Sequence, residues 1–166
     1  MFELKPLTTA GIPAALQKVE RYRLLNEPAE AESICLDVLR VDPGNQQALV
    51  MLLLSLTDQF RTESASGVAK AREILPALSS PYDRAYYAGI ICERRATAVL
   101  AQDAPGAARV AYDWLREAMD HYEDAESIRP AGDDSALLRW NTCARIIMRS
   151  HTIAPAEDER VDLPLE

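Results

Sequence analysis

The chain has 166 residues and a net charge of −8, with 48% hydrophobic, 27% charged and only 6% aromatic residues. Binding to nucleic-acid backbones or anionic membrane surfaces requires clustered Lys and Arg. Because the chain is strongly acidic, neither partner is expected. The longest apolar run, ALVMLLLSL, is about half as long as a membrane span, and the N-terminus has no apolar leader. A cytoplasmic protein of one domain or one short repeat array is expected.

Helix signals alternate with short breaks along the whole chain, and no segment has the alternating pattern of a strand. Pro28 and Pro81 suit the first turn of a helix, and Pro76 should bend or shorten the helix that contains it. The polar stretch RTESASG, residues 61–67, reads as a loop. The predicted helices cover about residues 10–25, 28–41, 46–60, 68–78, 81–102, 107–128 and 135–151.

This pattern divides the chain into an N-terminal extension (1–9), a helical domain (10–152) and an acidic tail (153–166). The tail contains two prolines and four excess negative charges, so it is predicted to be flexible. Val161, Leu163 and Leu165 alternate with other residues in it. This alternation suggests as a hypothesis that the tail docks on its own chain or on a neighbouring copy.

The positions of the three cysteines predict a structural role and not a catalytic one. Cys35, Cys92 and Cys143 lie far apart in apolar helical contexts, and no C-x-x-C motif occurs. They are therefore predicted to be small buried thiols in a reducing compartment.

Enzymatic and metal motifs are also missing from the sequence. No glycine-rich phosphate loop and no G-x-S-x-G motif occurs. Glu117 lies one turn before His121, but no third ligand follows in the sequence, and the other histidine, His151, is distant. The sequence therefore predicts no enzyme, no metal site and no cofactor.

One spacing recurs between helix breaks: a small residue, a larger one four later, an apolar or small one three later, and a proline five later. The first copy consists of Ala31, Cys35, Val38 and Pro43, and the second of Ala118, Tyr122, Ala125 and Pro130. Tyr22 lies nine residues before Ala31, and Gly89 is a candidate small residue in a first helix. Small residues let two helices approach closely, the larger one fills the gap, and proline ends the helix.

This spacing resembles the second helix of a tetratricopeptide repeat, A-x3-F/Y-x2-A-x4-P. The resemblance implies an all-α solenoid of about three helical hairpins with a C-terminal capping helix. A generic helical bundle with chance spacing is the alternative. The residues expected to pack the repeats are Tyr22, Ala31, Cys35, Val38, Pro43, Ala118, Tyr122, Ala125, Pro130 and Trp140.

In that family the first helices of successive hairpins line a concave groove that binds extended peptides or helices of partner proteins. The family register places twelve residues in such a groove: Leu16, Glu20, Arg23, Val50, Leu54, Asp58, Tyr86, Ile90, Arg94, Asn141, Arg145 and Arg149. Family members that clamp a C-terminal carboxylate use a lysine and two asparagines there. Apolar or acidic residues hold the comparable places here, so that clamp is not expected.

The resemblance therefore implies a non-catalytic protein–protein interaction module, such as a scaffold, adaptor or assembly factor. Its expected partner is another protein or peptide bound in the groove. The alternative is a structural subunit that forms a homo-oligomer or a larger complex.

Overall fold

The computed structural model describes residues 1–62 and 65–155, and all regular structure in these ranges is helical. The α-helices there are α1 (Ile12–Leu24), α2 (Pro28–Val41), α3 (Gln46–Asp58), α4 (Ala65–Ile74), α5 (Pro81–Ala101), α6 (Ala107–Ser127) and α7 (Ser135–Arg149). The prediction of an all-α chain is confirmed for these residues. No described helix combines the length and apolarity needed to cross a membrane.

Local sequence explains where several helices begin. The Asn45 side chain accepts a hydrogen bond from the Ala48 N–H at 2.9 Å and caps α3. Ser80 caps α5 in the same way, and Pro81 follows it as the first helical residue. Both caps satisfy N–H groups that have no partner inside the helix.

The fourth helix differs from its predicted bounds at both ends. It begins at Ala65 instead of residue 68, because first-turn N–H groups need no intrahelical acceptor and polar residues can form that turn. It ends at Ile74, and Pro76 lies in a 3₁₀ turn, Leu75–Ala77, that follows. Proline cannot donate the next helical hydrogen bond, so the shortening at Pro76 is confirmed.

Each helix packs against the next one in the chain, and α3 also packs against both α1 and α5. One large apolar cluster lies among α1–α5, a second lies among α5, α6 and α7, and a smaller third lies among α1, α2 and α3. The odd-numbered helices α1, α3 and α5 are thus neighbours in space.

The residues expected to pack the repeats divide into three groups. Ala31, Cys35, Val38, Ala118, Tyr122 and Ala125 are fully buried. Tyr22 and Trp140 are half-buried, and the two prolines, Pro43 and Pro130, are exposed after the ends of α2 and α6. Trp140 was expected to pack the repeats, but its indole N–H donates to Glu123 Oε1 at 2.9 Å, which keeps one edge of the ring at the surface.

The packed region extends slightly past the predicted domain limits. Ile153 follows α7 and is only 6% exposed, packed on the apolar cluster of α5, α6 and α7. At the other end, Arg40 on α2 donates to the Leu4 carbonyl at 3.3 Å. Residues 156–166, most of the predicted acidic tail, lie outside the described residues.

Candidate functional site

A cleft of about 410 Å³ opens where α1, α3 and α5 meet. The end of α1 and the turn after it contribute Glu20, Arg23, Leu24 and Asn26; the end of α3 and its following turn contribute Thr57, Asp58, Phe60 and Arg61; α5 contributes Arg94, Thr97 and Ala98. Residues far apart in the sequence thus line one concave surface, which we call the α1/α3/α5 cleft.

The centre of the cleft is a carboxylate between two guanidinium groups. Asp58 Oδ2 accepts a hydrogen bond from Arg23 Nε at 2.8 Å, and Asp58 Oδ1 lies 3.6 Å from Arg94 Nη1. The Arg23 and Asp58 side chains are 23% and 18% exposed, whereas that of Arg94 is 39% exposed. Asp58 therefore fixes Arg23 firmly and leaves Arg94 more accessible to another anion.

The end of α1 takes its shape from a local motif. The Asn26 N–H donates to the Arg23 carbonyl at 3.0 Å, and the Glu27 N–H donates to the Tyr22 carbonyl at 2.9 Å. Asn26 has φ 59°, a left-handed conformation that asparagine adopts more readily than most residues. This pair of bonds ends the helix as a Schellman motif, so that Arg23 stands in the last turn, facing α3.

Four of the predicted groove residues meet in this cleft, and the structure places the others elsewhere. Glu20, Arg23, Asp58 and Arg94 line the cleft. This convergence follows from the contacts of α3 with both α1 and α5.

Two predicted groove residues are buried and cannot line an open groove. Leu16 is 6% exposed and packs with Ile12 and Val38, and Ile90 is 2% exposed in the cluster of α5, α6 and α7. Their helices turn these apolar side chains into the core, where their area leaves water. The placement of Leu16 and Ile90 on the groove surface was therefore wrong.

Three more of the predicted set are half-buried on the apolar clusters. Val50 and Leu54 on α3 pack against the core. Tyr86 on α5 lies among three other tyrosine rings, stacked on Tyr82 with 5.8 Å between ring centroids. These residues support the helices and do not line the cleft.

The predicted positions on α7 do not join the cleft. Asn141 lines a separate depression of about 300 Å³ beside Trp140, between α6 and α7. Arg145 and Arg149 are exposed on α7. The arginines that converge are Arg23, Arg61 and Arg94 instead.

Sequence reasoning missed several cleft residues. Thr97 lies three residues after Arg94 on the same helix, so extending the register by one turn would have found it. Arg61 follows the end of α3, where no helical register applies, and no sequence signal identified it. Leu24, 84% exposed, is an apolar residue at the rim that the register placed outside the groove.

A second polar cluster lies on another side of α5, where α5 meets α6 and α7. Glu93 Oε2 accepts a hydrogen bond from the Tyr122 hydroxyl at 2.6 Å, and Glu93 Oε1 accepts one from Arg139 Nη1 at 3.1 Å. Burial and the adjacent Glu93 carboxylate raise the pKa of Tyr122 far above its usual range, so it remains a donor. We call this cluster the α5/α6/α7 junction.

The thiols have the properties of buried structural groups. Burial raises the pKa of Cys35, Cys92 and Cys143 to about 12. They therefore remain protonated near neutral pH and are weak nucleophiles. All three are free and buried, as the sequence predicted.

Comparison of the chain with protein-family models, with curated proteins and with solved structures found no match. The resemblance to tetratricopeptide repeats therefore stays a prediction, and the α1/α3/α5 cleft and the α5/α6/α7 junction are the features that bear on function.

Proposed function

We propose that the chain is a non-catalytic protein-interaction module, built as a short tetratricopeptide-like array, whose α1/α3/α5 cleft binds an acidic segment of a partner protein. The observation that carries this proposal is the convergence of Arg23, Arg61 and Arg94 around one concave surface. Three separate parts of the chain supply them. In a chain with a net charge of −8, such a local concentration of guanidinium groups favours an anionic ligand.

The charges of the cleft suit a carboxylate-bearing peptide. Three arginines face two acidic residues, Glu20 and Asp58, so the cleft carries one excess positive charge. Guanidinium groups bind carboxylates through paired hydrogen bonds, with a geometry that ammonium groups do not reproduce. A partner carboxylate would therefore bind between Arg61 and Arg94, while Asp58 keeps Arg23 in place.

The cleft also offers apolar contacts beside its charges. Leu24 stands at the rim and is 84% exposed, whereas Phe60 in the wall is only 1% exposed and supports the cleft from the core. An apolar side chain next to the partner's acidic residue would cover Leu24. Such contacts are needed because exposed ion pairs alone contribute only about 0–1 kcal/mol each.

The architecture and the thiols support the remaining parts of the proposal. Contacts of α1 with α3 and of α3 with α5 are those expected when first helices of successive hairpins stand side by side. Cys35, Cys92 and Cys143 have raised pKa values and do not line the cleft, which favours binding over covalent chemistry.

The test uses site-specific photo-cross-linking with two matched leucines. A photoreactive amino acid replaces Leu24 at the rim of the cleft or, as the control, Leu36 on α2, which is 52% exposed. Displayed peptide libraries are then offered to both proteins. Acidic peptides should be captured through position 24 and not through position 36. Capture of a second copy of the chain at position 24 would support the homo-oligomer alternative instead.

Charge reversal provides the quantitative arm. Arg94→Glu and Arg61→Glu should each weaken a captured acidic peptide by about tenfold or more. Arg109→Glu, on the exposed surface of α6, is the matched control and should leave the affinity unchanged. Equal affinity in all three variants would contradict the proposal.

A further inference from the structure

Three potential metal ligands from two helices meet on the surface formed by α4, α5 and α6. Cys92 comes from α5, and Glu117 and His121 come from successive turns of α6. One ligand atom from each residue lies within 4.8 Å of the others, and His121 Nε2 is 3.8 Å from Glu117 Oε1. In tetrahedral zinc sites, ligand atoms at bond lengths of about 2.0–2.3 Å stand roughly 3.3–3.8 Å apart. Small rotations of the side chains would therefore close this set around an ion.

The three donor types match one class of metal. Thiolate, imidazole and carboxylate are the three side-chain ligands of zinc, whereas calcium and magnesium prefer oxygen alone. A thiolate and a carboxylate supply two negative charges, which balance a divalent ion. The Cys92 side chain is buried, while those of Glu117 and His121 are 46% and 35% exposed, so the site opens to solvent on one side.

The sequence alone predicted no metal site, since Glu117 and His121 provide only two ligands. The fold adds the third, because α5 and α6 pack closely along their length and bring Cys92 beside the pair. No spacing rule links Cys92 to residues on the next helix.

A cationic side chain already lies against two of these ligands. Arg72 Nη2 on α4 is 2.7 Å from Glu117 Oε1 and 3.9 Å from Cys92 Sγ. Its guanidinium carbon also lies 5.2 Å from the centre of the Trp114 ring. Two positive charges at such short range repel each other, so Arg72 and a metal ion would exclude one another.

We propose that Cys92, Glu117 and His121 form a binding site for zinc or a similar late divalent transition metal, and that Arg72 competes with the metal for it. When the ion binds, the Cys92 thiol gives its proton to solvent and its sulfur bonds the metal. Arg72, whose side chain is 45% exposed, then swings away from Glu117 into water. Metal binding would thereby release the ion pair between α4 and α6.

Cobalt(II) is the probe, because a bound thiolate gives it a near-ultraviolet charge-transfer band. The metal-free protein should develop this band with one equivalent of cobalt, and zinc should remove it by displacement. Cys92→Ser should abolish the band, whereas Cys143→Ser, at another fully buried cysteine, should retain it. Absence of the band in both the native protein and the Arg72→Gln variant would overturn the proposal, as would a band of full strength in Cys92→Ser.

A second test replaces the histidines and Arg72, so it does not require the substitution of a buried residue. His121→Asn should weaken cobalt binding by about tenfold or more, while His151→Asn should not change it. Arg72→Gln should tighten binding by about tenfold, because it removes the competing charge. Equal affinities of the two histidine variants would refute the site.

Trp114 reports the movement of Arg72 directly. The chain has two tryptophans, so Trp114 is the only tryptophan left in the Trp140→Phe variant. Its emission should change on zinc addition as the guanidinium leaves the ring. The same change should be absent in Trp140→Phe combined with Arg72→Gln, and a response that persists in that variant would contradict the competition.

Discussion

Two carboxylates each join two donors, one in the interior and one at the open cleft. Glu93 at the α5/α6/α7 junction binds Tyr122 and Arg139, and its side chain is 7% exposed. Asp58 in the α1/α3/α5 cleft is 18% exposed and is bound at hydrogen-bond distance on one side only. The two carboxylates therefore have similar partners but differ in their exposure to solvent.

This difference in exposure separates a cluster that stabilises the fold from a cluster that can bind a ligand. In the interior the loss of Glu93 leaves the fully buried Tyr122 hydroxyl without water, so the network at Glu93 stabilises the fold. In the cleft, water replaces a lost partner, and Arg94 keeps capacity for another anion. Glu93 and Arg94 are neighbours on α5, so one helix serves both purposes through adjacent faces.

The largest effect is expected from Glu93→Ala. The substitution leaves the Tyr122 hydroxyl and the Arg139 guanidinium without their acceptor, and should lower the free energy of unfolding by about 3–5 kcal/mol. Glu93→Gln keeps a polar acceptor and should cost less, about 1–3 kcal/mol. Urea unfolding measures both values, and a loss below about 1 kcal/mol for Glu93→Ala would remove the distinction between the two clusters.

The next largest loss of stability is expected from Gly89→Ala, and the sign of the change in the free energy of unfolding tests the packing at this position. A Cβ at this position would lie 2.4 Å from Cε1 of the Tyr122 ring. Overpacking of this kind costs about 1–3 kcal/mol, although Gly→Ala inside a helix ordinarily gains about 0.5–1 kcal/mol. The clash should vanish when Tyr122→Leu is combined with it. A penalty that remains in the double variant would show that the ring is not its cause.

The third prediction concerns stability at alkaline pH. It depends on two buried thiols, one in the apolar cluster of α1–α5 and one in the cluster of α5, α6 and α7. Burial raises the pKa of Cys35 and Cys143 from 9.0 to about 12. The unfolded chain loses these protons first, so their contribution is complete below pH 9.0 and declines as pH rises towards 12.

The measurement is the free energy of unfolding as a function of pH. For each thiol the slope cannot exceed about 1.4 kcal/mol per pH unit, and partial hydration makes it smaller. Cys143→Ala and Cys35→Ala should each flatten the alkaline decline. An unchanged slope in either variant would show that its thiol titrates normally in the fold.

The smallest change in stability is expected from Asp58→Asn. The pair with Arg23 is partly solvated, so its weakening should cost only about 0–1 kcal/mol. The variant removes a negative charge from the cleft and should tighten an acidic peptide captured there, in a salt-dependent way. Asp113→Asn, exposed on α6, is the control. A loss of stability as large as that of Glu93→Ala would make Asp58 a structural residue instead.

The sequence by itself determined the helices and much of the core. Proline, asparagine and serine act within a few residues of their own position, so the first residues of α2, α3 and α5 follow from local chemistry. The buried small residues Ala31 and Ala118 also follow from helical periodicity, which is a property of one helix.

Only the tertiary structure decided which surfaces remained open and which distant residues met. Leu16 and Ile90 share the register of the cleft residues, yet neighbouring helices cover them. Arg61 reaches the cleft from a turn, and Cys92 joins Glu117 and His121 only because two helices pack side by side. The physical reason is that spacing fixes the face of a residue on its own helix, while burial and contact depend on where the other helices lie.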